Sequence, residues 1–178
     1  MKFYLIRHGR TRGNEEKRYV GGRTDEDLTE AGIRDLKEKS YPSVQRVFAS
    51  PMKRCVHTAE ILYPGEEIFI QEAFRETDFG LFEDKNYQEL KDEKTYQDWL
   101  KTGGTGAFPE GESKEEVRKR VLLGFEQVIF QMNSQNLQSA ALIVHGGTIM
   151  HLMEAYGGEE KGFYEYQLEN GGCICLSL

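Results

Sequence analysis

The 178-residue sequence has no surplus of positive charge, no internal repeat and no low-complexity tract. Lys and Arg number 23 against 30 Asp and Glu, giving a formal net charge of −7 and a pI near 5.2. General nucleic-acid binders need basic surface to displace phosphate counterions, so that class is set aside. No run of like charge suggests a disordered arm. A long apolar run is missing from the start: Phe3-Tyr4-Leu5-Ile6 meets Arg7 after four residues, far short of a signal-peptide core or a membrane span. A cytoplasmic protein with no membrane partner is expected. Cysteine is scarce and odd in number. Cys55, Cys173 and Cys175 read as reduced thiols. Cys173-x-Cys175 has no second Cys or His pair beside it and reads as two buried strand thiols. No two histidines have ligand spacing such as H-x-x-x-H, so neither a zinc site nor another cofactor is expected.

What is present reads as one soluble domain, 38% hydrophobic and 30% charged. Short apolar runs alternate with amphipathic stretches, which predicts an α/β fold. Strands are expected at Lys2 to Ile6, Arg46 to Ser50, Glu67 to Ile70 and Ala140 to Val144. Helices are expected over Thr29 to Lys39, over Met52 to Leu62 behind Pro51, and over Asp84 to Lys101. Another begins at Ser113, where Ser113-Lys114-Glu115-Glu116 forms a capping box ahead of Val117, Val121, Phe125, Val128 and Met132 at helical spacing. The stretch from Thr102 to Gly106 reads as a flexible loop. At the end of the sequence, Tyr166 to Glu169, Asn170-Gly171 and Cys173 to Leu178 read as a hairpin.

Three strands run into the chemistry. Lys2 to Ile6 leads into Arg7-His8-Gly9, Arg46 to Ser50 into Pro51-Met52-Lys53-Arg54, and Ala140 to Val144 into His145-Gly146-Gly147. Carboxyl ends of parallel strands form the ligand crevice of open α/β sheets, and helices starting there aim N–H groups at an anion. Arg7, His8, Arg54 and His145 are thus expected to converge, with Gly9, Gly146 and Gly147 permitting close backbone approach. Two arginines and two histidines suit a phosphoryl group, because the guanidinium fork matches phosphate oxygens. A neutral imidazole is also a nucleophile, and cationic neighbours keep His8 unprotonated.

These residues resemble the signature of the histidine phosphatase superfamily, which includes cofactor-dependent phosphoglycerate mutases and many small phosphatases. Arg7-His8-Gly9-x-Thr11 with Asn14 carries the first match. Gly22-Arg23-Thr24-Asp25, Ser50-Pro51-Met52-Lys53-Arg54, Phe74-Arg75-Glu76-Thr77-Asp78-Phe79-Gly80, Pro109-Glu110-Gly111-Glu112-Ser113 and Val144-His145-Gly146-Gly147 follow in the family's order, over nearly the whole chain. The resemblance implies a three-layer sandwich with a mostly parallel central sheet, phosphoglycerate mutase-like, spanning residues 1–178 with a small helical cap at about 77–112. It casts His8 as the nucleophile that becomes phosphohistidine and Glu76 as proton donor to the leaving oxygen. Arg7, Arg54 and His145 match the phosphate pocket, with Asn14, Thr11, Gly22 and Gly146 as substrate contacts. Arg10 departs from the family's usual Glu or Gln and adds positive charge near the entrance.

Among phosphorylated small molecules a monoester is the expected substrate, since the mutases' arginine-bearing insertion has no counterpart between Arg75 and Arg118. Phe79-Gly80-Leu81-Phe82-Glu83 is similar to a segment of alpha-ribazole phosphatases. A mutase and a non-catalytic phospho-ligand regulator are the alternatives. Asp25-Glu26-Asp27-Leu28-Thr29 fits a magnesium-dependent aspartyl phosphatase in letters but follows no buried strand, and Cys55 has Ile61 where a cysteine phosphatase needs Arg. No P-loop lysine motif occurs. His57 and His151 read as bystanders. The aromatics Phe79, Phe82, Tyr87, Tyr96, Trp99 and Phe108 either line a substrate cap or pack the cap onto the sheet.

Overall fold

Alternation along each apolar segment decides which layer a side chain joins. The computed structural model describes residues 1–104, 106–158 and 161–178. In chain order the elements are β1 (Lys2–Arg7), α1 (Arg12–Glu15), α2 (Glu30–Glu38), β2 (Arg46–Ala49), α3 (Lys53–Leu62) and β3 (Ile68–Ile70). Then come α4 (Tyr87–Leu90), α5 (Lys94–Lys101), α6 (Lys114–Ser134), β4 (Ser139–Val144), α7 (Gly146–Tyr156) and β5 (Cys173–Ser177). The sheet order is β3-β2-β4-β1-β5, parallel except for β5.

Phe3 and Leu5 of β1, with Ala140, Leu142 and Val144 of β4, face α6 and α7. Ile6, with Ala141 and Ile143, faces α3 through Cys55 and Ala59. The result is the expected three-layer α/β sandwich. Phe125 of α6 is fully buried against Phe3 and Tyr156, with ring centroids 4.9 and 5.2 Å away. Phe125→Ala is expected to destabilise the fold by about 3–5 kcal/mol in urea unfolding, from lost transfer energy plus the cavity left behind.

β1 and β4 are neighbours whose onward connections diverge, β1 leading toward β2 and β4 toward β5. That is a topological switch point, and the crevice beyond its carboxyl ends is where such sheets bind ligands. His8 and His145 sit there, each just past the last strand residue.

Capping chemistry sets the helix bounds. Thr29 accepts from Gly32 N–H at the start of α2, and Ser113 and Glu116 form the expected capping box of α6. The helix expected from Asp84 to Lys101 is instead two short helices. Asp84 has φ +54°, which no right-handed helix accepts, and Asn86 starts α4 with its own capping box to Glu89. The expected hairpin is also replaced. Phe163–Tyr166 form a 3₁₀ turn, and the Asn170-Gly171 turn delivers β5 onto β1. Gly171, at φ +69°, gives its N–H to the Arg7 and His8 carbonyls. Because β5 is an edge strand, Cys173 and Cys175 are exposed, not buried as expected. Thr105 of the expected loop lies outside the described residues. Among the described residues, no helix is long and apolar enough to cross a membrane.

Candidate active site

The centre of the site is a buried imidazole with one nitrogen already committed. His8 Nδ1 lies 2.7 Å from the Gly9 carbonyl oxygen, which can only accept, so Nδ1 carries the proton and Nε2 keeps a lone pair. Burial lowers the His8 pKa well below the ordinary value, and the Arg54 and Arg7 charges push the same way. The ring is therefore neutral at neutral pH. The loop around it is tightly held: Gly9 N–H donates to Thr58 Oγ1 (2.9 Å), and Asn170 Nδ2 donates to the carbonyl of His8 (3.1 Å) and to Asn14 Oδ1 (3.1 Å).

Two arginines supply charge. Arg54, in the first turn of α3, is fully buried and donates through Nη1 to Thr24 O (2.8 Å) and through Nη2 to Gly21 O (3.2 Å). Arg7 donates through Nη1 to Leu168 O at 2.6 Å. In each guanidinium the Nε–H is buried without a partner. Orphaned buried donors are costly, and cationic ones especially so, unless an anion meets them.

His145 ends β4 and caps α7. Its Nε2 shares a 2.7 Å hydrogen bond with Ser50 Oγ, and the rings of His8 and His145 lie 5.2 Å apart, edge to face. Burial, then Arg54, His8 and Arg7, lower its pKa well below the ordinary value, so it too is neutral. Glu76 Oε2 stands 3.6 Å from His145 Nδ1, while Oε1 accepts the Thr77 N–H at 2.8 Å. Burial raises the Glu76 pKa above the ordinary carboxylate value, against the opposing pull of Arg54. Burial thus favours the protonated form of Glu76 more than in an ordinary glutamate. The thiol of Cys55 lies 3.6 Å from His145 Nε2, but burial pushes its pKa up to about 12, so it is neither a thiolate nor a competing nucleophile.

Arg7, His8, Asn14, Glu76, Gly146 and Gly147 line one cavity of about 280 Å³. Arg54 and His145 are fully buried and are not among the lining residues; the charge of Arg54 reaches His8, and the His145 ring lies 5.2 Å from the His8 ring. Thr11 and Gly22 lie outside the cavity wall. Thr11 caps α1 through the Asn14 N–H, and Gly22 packs where a Cβ would meet the Glu76 carbonyl oxygen at 2.8 Å. Both hold the backbone that presents Asn14 and Glu76. Gly9 makes room for Leu36 of α2, since a Cβ there would meet Leu36 Cδ1 at 2.7 Å, so its role is packing and not ligand approach. Arg10 is turned outward into an ion pair with Asp35 of α2, and its charge is spent there instead of at the cavity entrance.

Other corrections concern the aromatics and His151. Phe82, Tyr96 and Trp99 pack on one another in a small core of their own, whereas Phe79 and Phe108 reach the cavity along with Tyr19. Tyr87 is exposed. His57 is hydrogen-bonded through Nδ1 to Asp27 Oδ1 (2.5 Å) at the surface, outside the cavity, but His151 is buried in the cavity wall. Sequence reasoning gave no role to Ser50, Thr58 or Asn170, although Ser50 and Thr58 lie in or beside the stretch that resembles the family's second phosphate-binding block, and Asn170-Gly171 pointed only to a hairpin.

The chain belongs to the histidine phosphatase superfamily (branch 1), whose family model matches residues 3–178. Within it, the chain is 34% identical over 131 residues to the probable phosphoglycerate mutase GpmB of Enterobacter sp. (strain 638), covering 68% of this chain and 60% of that relative. The chain thus spans about 60% of the length of the first curated relatives it matches. Its fold is similar to that of the alpha-ribazole phosphatase from Shigella flexneri, with a TM-score of 0.81 at 24% identity, covering 98% of this chain and 89% of that one. It is also similar to a phosphoglycerate mutase from Thermus thermophilus, with a TM-score of 0.74 at 26% identity and coverage of 98% and 92%. The sandwich is thus phosphoglycerate mutase-like, as expected.

Proposed function

We propose that the protein is a phosphomonoesterase that works through phosphohistidine and needs no metal ion. The observation that carries this is the pair of buried, unpartnered guanidinium Nε–H groups of Arg7 and Arg54 within electrostatic reach of the neutral His8. His8 Nε2 attacks phosphorus as the ester P–O bond breaks, and Glu76 gives its proton to the departing alkoxide. Arg7, Arg54, His145 and Asn14 stabilise charge on the equatorial oxygens. The Glu76 carboxylate then takes a proton from water, whose oxygen attacks phosphorus. The Nε2–P bond breaks, its electron pair returns to Nε2, and inorganic phosphate leaves. Alcohol and phosphate are the net products, with His8 and Glu76 restored.

Hydrolysis is favoured over isomerisation by the cations along the cavity. A mutase must grip a substrate carboxylate as well as the phosphate. Apart from Arg7, the cations lining the cavity among the described residues are Arg18 and Lys114, and both are already paired. Arg18 meets Glu16 at 2.6 Å and Glu89 at 2.8 Å, and Lys114 meets Glu154 at 3.8 Å. A phosphatase of the alpha-ribazole type is consistent with this, and the names of the relatives span both activities. The test supplies p-nitrophenyl phosphate in EDTA, and separately 3-phosphoglycerate with a trace of 2,3-bisphosphoglycerate. Steady phosphate release from the first and little 2-phosphoglycerate from the second are expected. Isomerisation faster than phosphate release from any monoester would overturn the choice, and complete loss in EDTA restored by magnesium would overturn the mechanism.

A further inference from the structure

The cavity that Arg7, His8 and Glu76 line is also lined by His151, which carries a buried polar atom that the mechanism does not use. His151, on α7 beyond His145, is 3% exposed, and its Nδ1 has no hydrogen-bond partner. Its ring packs against Phe163 with centroids 4.8 Å apart, and the Lys114 ammonium lies 3.6 Å from the Phe163 ring centroid. Burial lowers the His151 pKa to about 4, helped by Lys114, Arg118 and Arg120, so the imidazole is neutral at neutral pH. A neutral imidazole has one donor and one acceptor nitrogen. A half-turn of the ring exchanges Nδ1 with Cδ2 at little change of shape, so either nitrogen can be brought to bear.

The surrounding wall is more apolar than polar, with Thr77, Tyr164 and Gln167 among its polar members. Tyr19, Phe79 and Phe108 stand on the cap side, with Val117, Met150 and Phe163 elsewhere around the cavity. Arg18 and Lys114 are already paired with carboxylates, so a second anionic group on the substrate would find its counter-charges committed. An uncharged leaving group avoids that cost, and one polar group on it can satisfy the orphaned nitrogen.

We propose that His151 is a specificity-determining residue, hydrogen-bonding a single hydroxyl or N–H group on an apolar, uncharged leaving group of the phosphomonoester. This rests on the phosphomonoesterase reading above. Pockets of this kind use a few placed polar groups to orient an otherwise apolar ligand, and His151 is such a group for the half of the substrate that departs.

The probes are benzyl phosphate, its ortho-, meta- and para-hydroxymethyl derivatives, and its para-carboxy derivative. In the wild-type protein at least one hydroxymethyl isomer is expected to exceed the parent in kcat/KM by roughly fivefold or more, the scale of one net hydrogen bond. The carboxy compound is expected to fall below the parent. In His151→Leu the advantage of the favoured isomer is expected to shrink to within about twofold, whatever happens to the absolute rates. The proposal is overturned if every isomer lies within about twofold of the parent in the wild type, or if the advantage survives in His151→Leu. The wild-type comparison decides the matter alone if the variant does not fold. Wild-type protein that releases no phosphate from any of these compounds or from p-nitrophenyl phosphate overturns the phosphomonoesterase reading and this one with it, a result distinct from any pattern among the isomers.

Discussion

His8→Ala is expected to lower turnover of every phosphomonoester by roughly 10⁶-fold, the scale on which another covalent enzyme loses activity with its nucleophile. The loss is expected with good and poor leaving groups alike, because no other group described in the cavity can take over. His145 is committed to Ser50 through Nε2, and the Cys55 thiol holds its proton. Phosphate affinity should survive better than turnover, since Arg7 and Arg54 remain. Full-length His8→Ala with an unchanged circular dichroism spectrum and undiminished p-nitrophenyl phosphate hydrolysis would remove His8 from the chemistry.

The second large effect belongs to Glu76. A departing alkoxide is strongly basic and needs a proton as the P–O bond breaks, whereas p-nitrophenolate does not. General acid catalysis contributes ~10²–10⁴-fold, so Glu76→Gln is expected to slow phosphorylation by alkyl phosphates on that scale and by p-nitrophenyl phosphate much less. With the aryl ester, the variant should show a phenolate burst and accumulate phosphoenzyme, because the attacking water has lost its base. The pH profile follows from the same groups. Burial raises the Glu76 pKa, so the acid form persists to higher pH than for an ordinary glutamate, and alkyl phosphate turnover falls as pH rises through that value. The His8 pKa is lowered, so the neutral nucleophile survives well below the ordinary histidine range, and activity falls on the acid side only there. Glu76→Gln should erase the basic limb for phosphorylation and leave the acid limb. Equal slowing with both leaving groups would make Glu76 a positioning residue and turn attention to another acid.

The layers and the convergence of the strand-end residues were legible in the sequence because both rest on local patterns. Strand periodicity put Phe3 and Leu5 on one face and Ile6 on the other. Strand-end placement put His8 and His145 at one switch point although 137 positions separate them in number. What was not legible depends on contacts between distant segments. Asn170-Gly171 looks like a local hairpin, and only the pairing of β5 with β1 turns it into a brace for the His8 loop. The same edge position exposes Cys173 and Cys175, which the lack of a second ligand pair and their place in a strand suggested were buried. Arg10 looked like added positive charge near the entrance until Asp35, on α2, took its charge. His151 sits on the same helix that His145 caps and carries no motif. Its surroundings are set by Phe163, which packs on its ring and in turn carries the Lys114 ammonium over its own, both from other segments of the chain.

The phosphohistidine intermediate is tested most directly by rapid acid-free quenching of the wild-type protein with a ³²P-labelled monoester, followed by peptide mapping. The mechanism predicts label on the peptide containing His8, stable to alkali, released by acid, and formed and lost at rates that match turnover. Label on Cys55 or Asp25, or turnover with no labelled protein in either the wild type or Glu76→Gln, would contradict it.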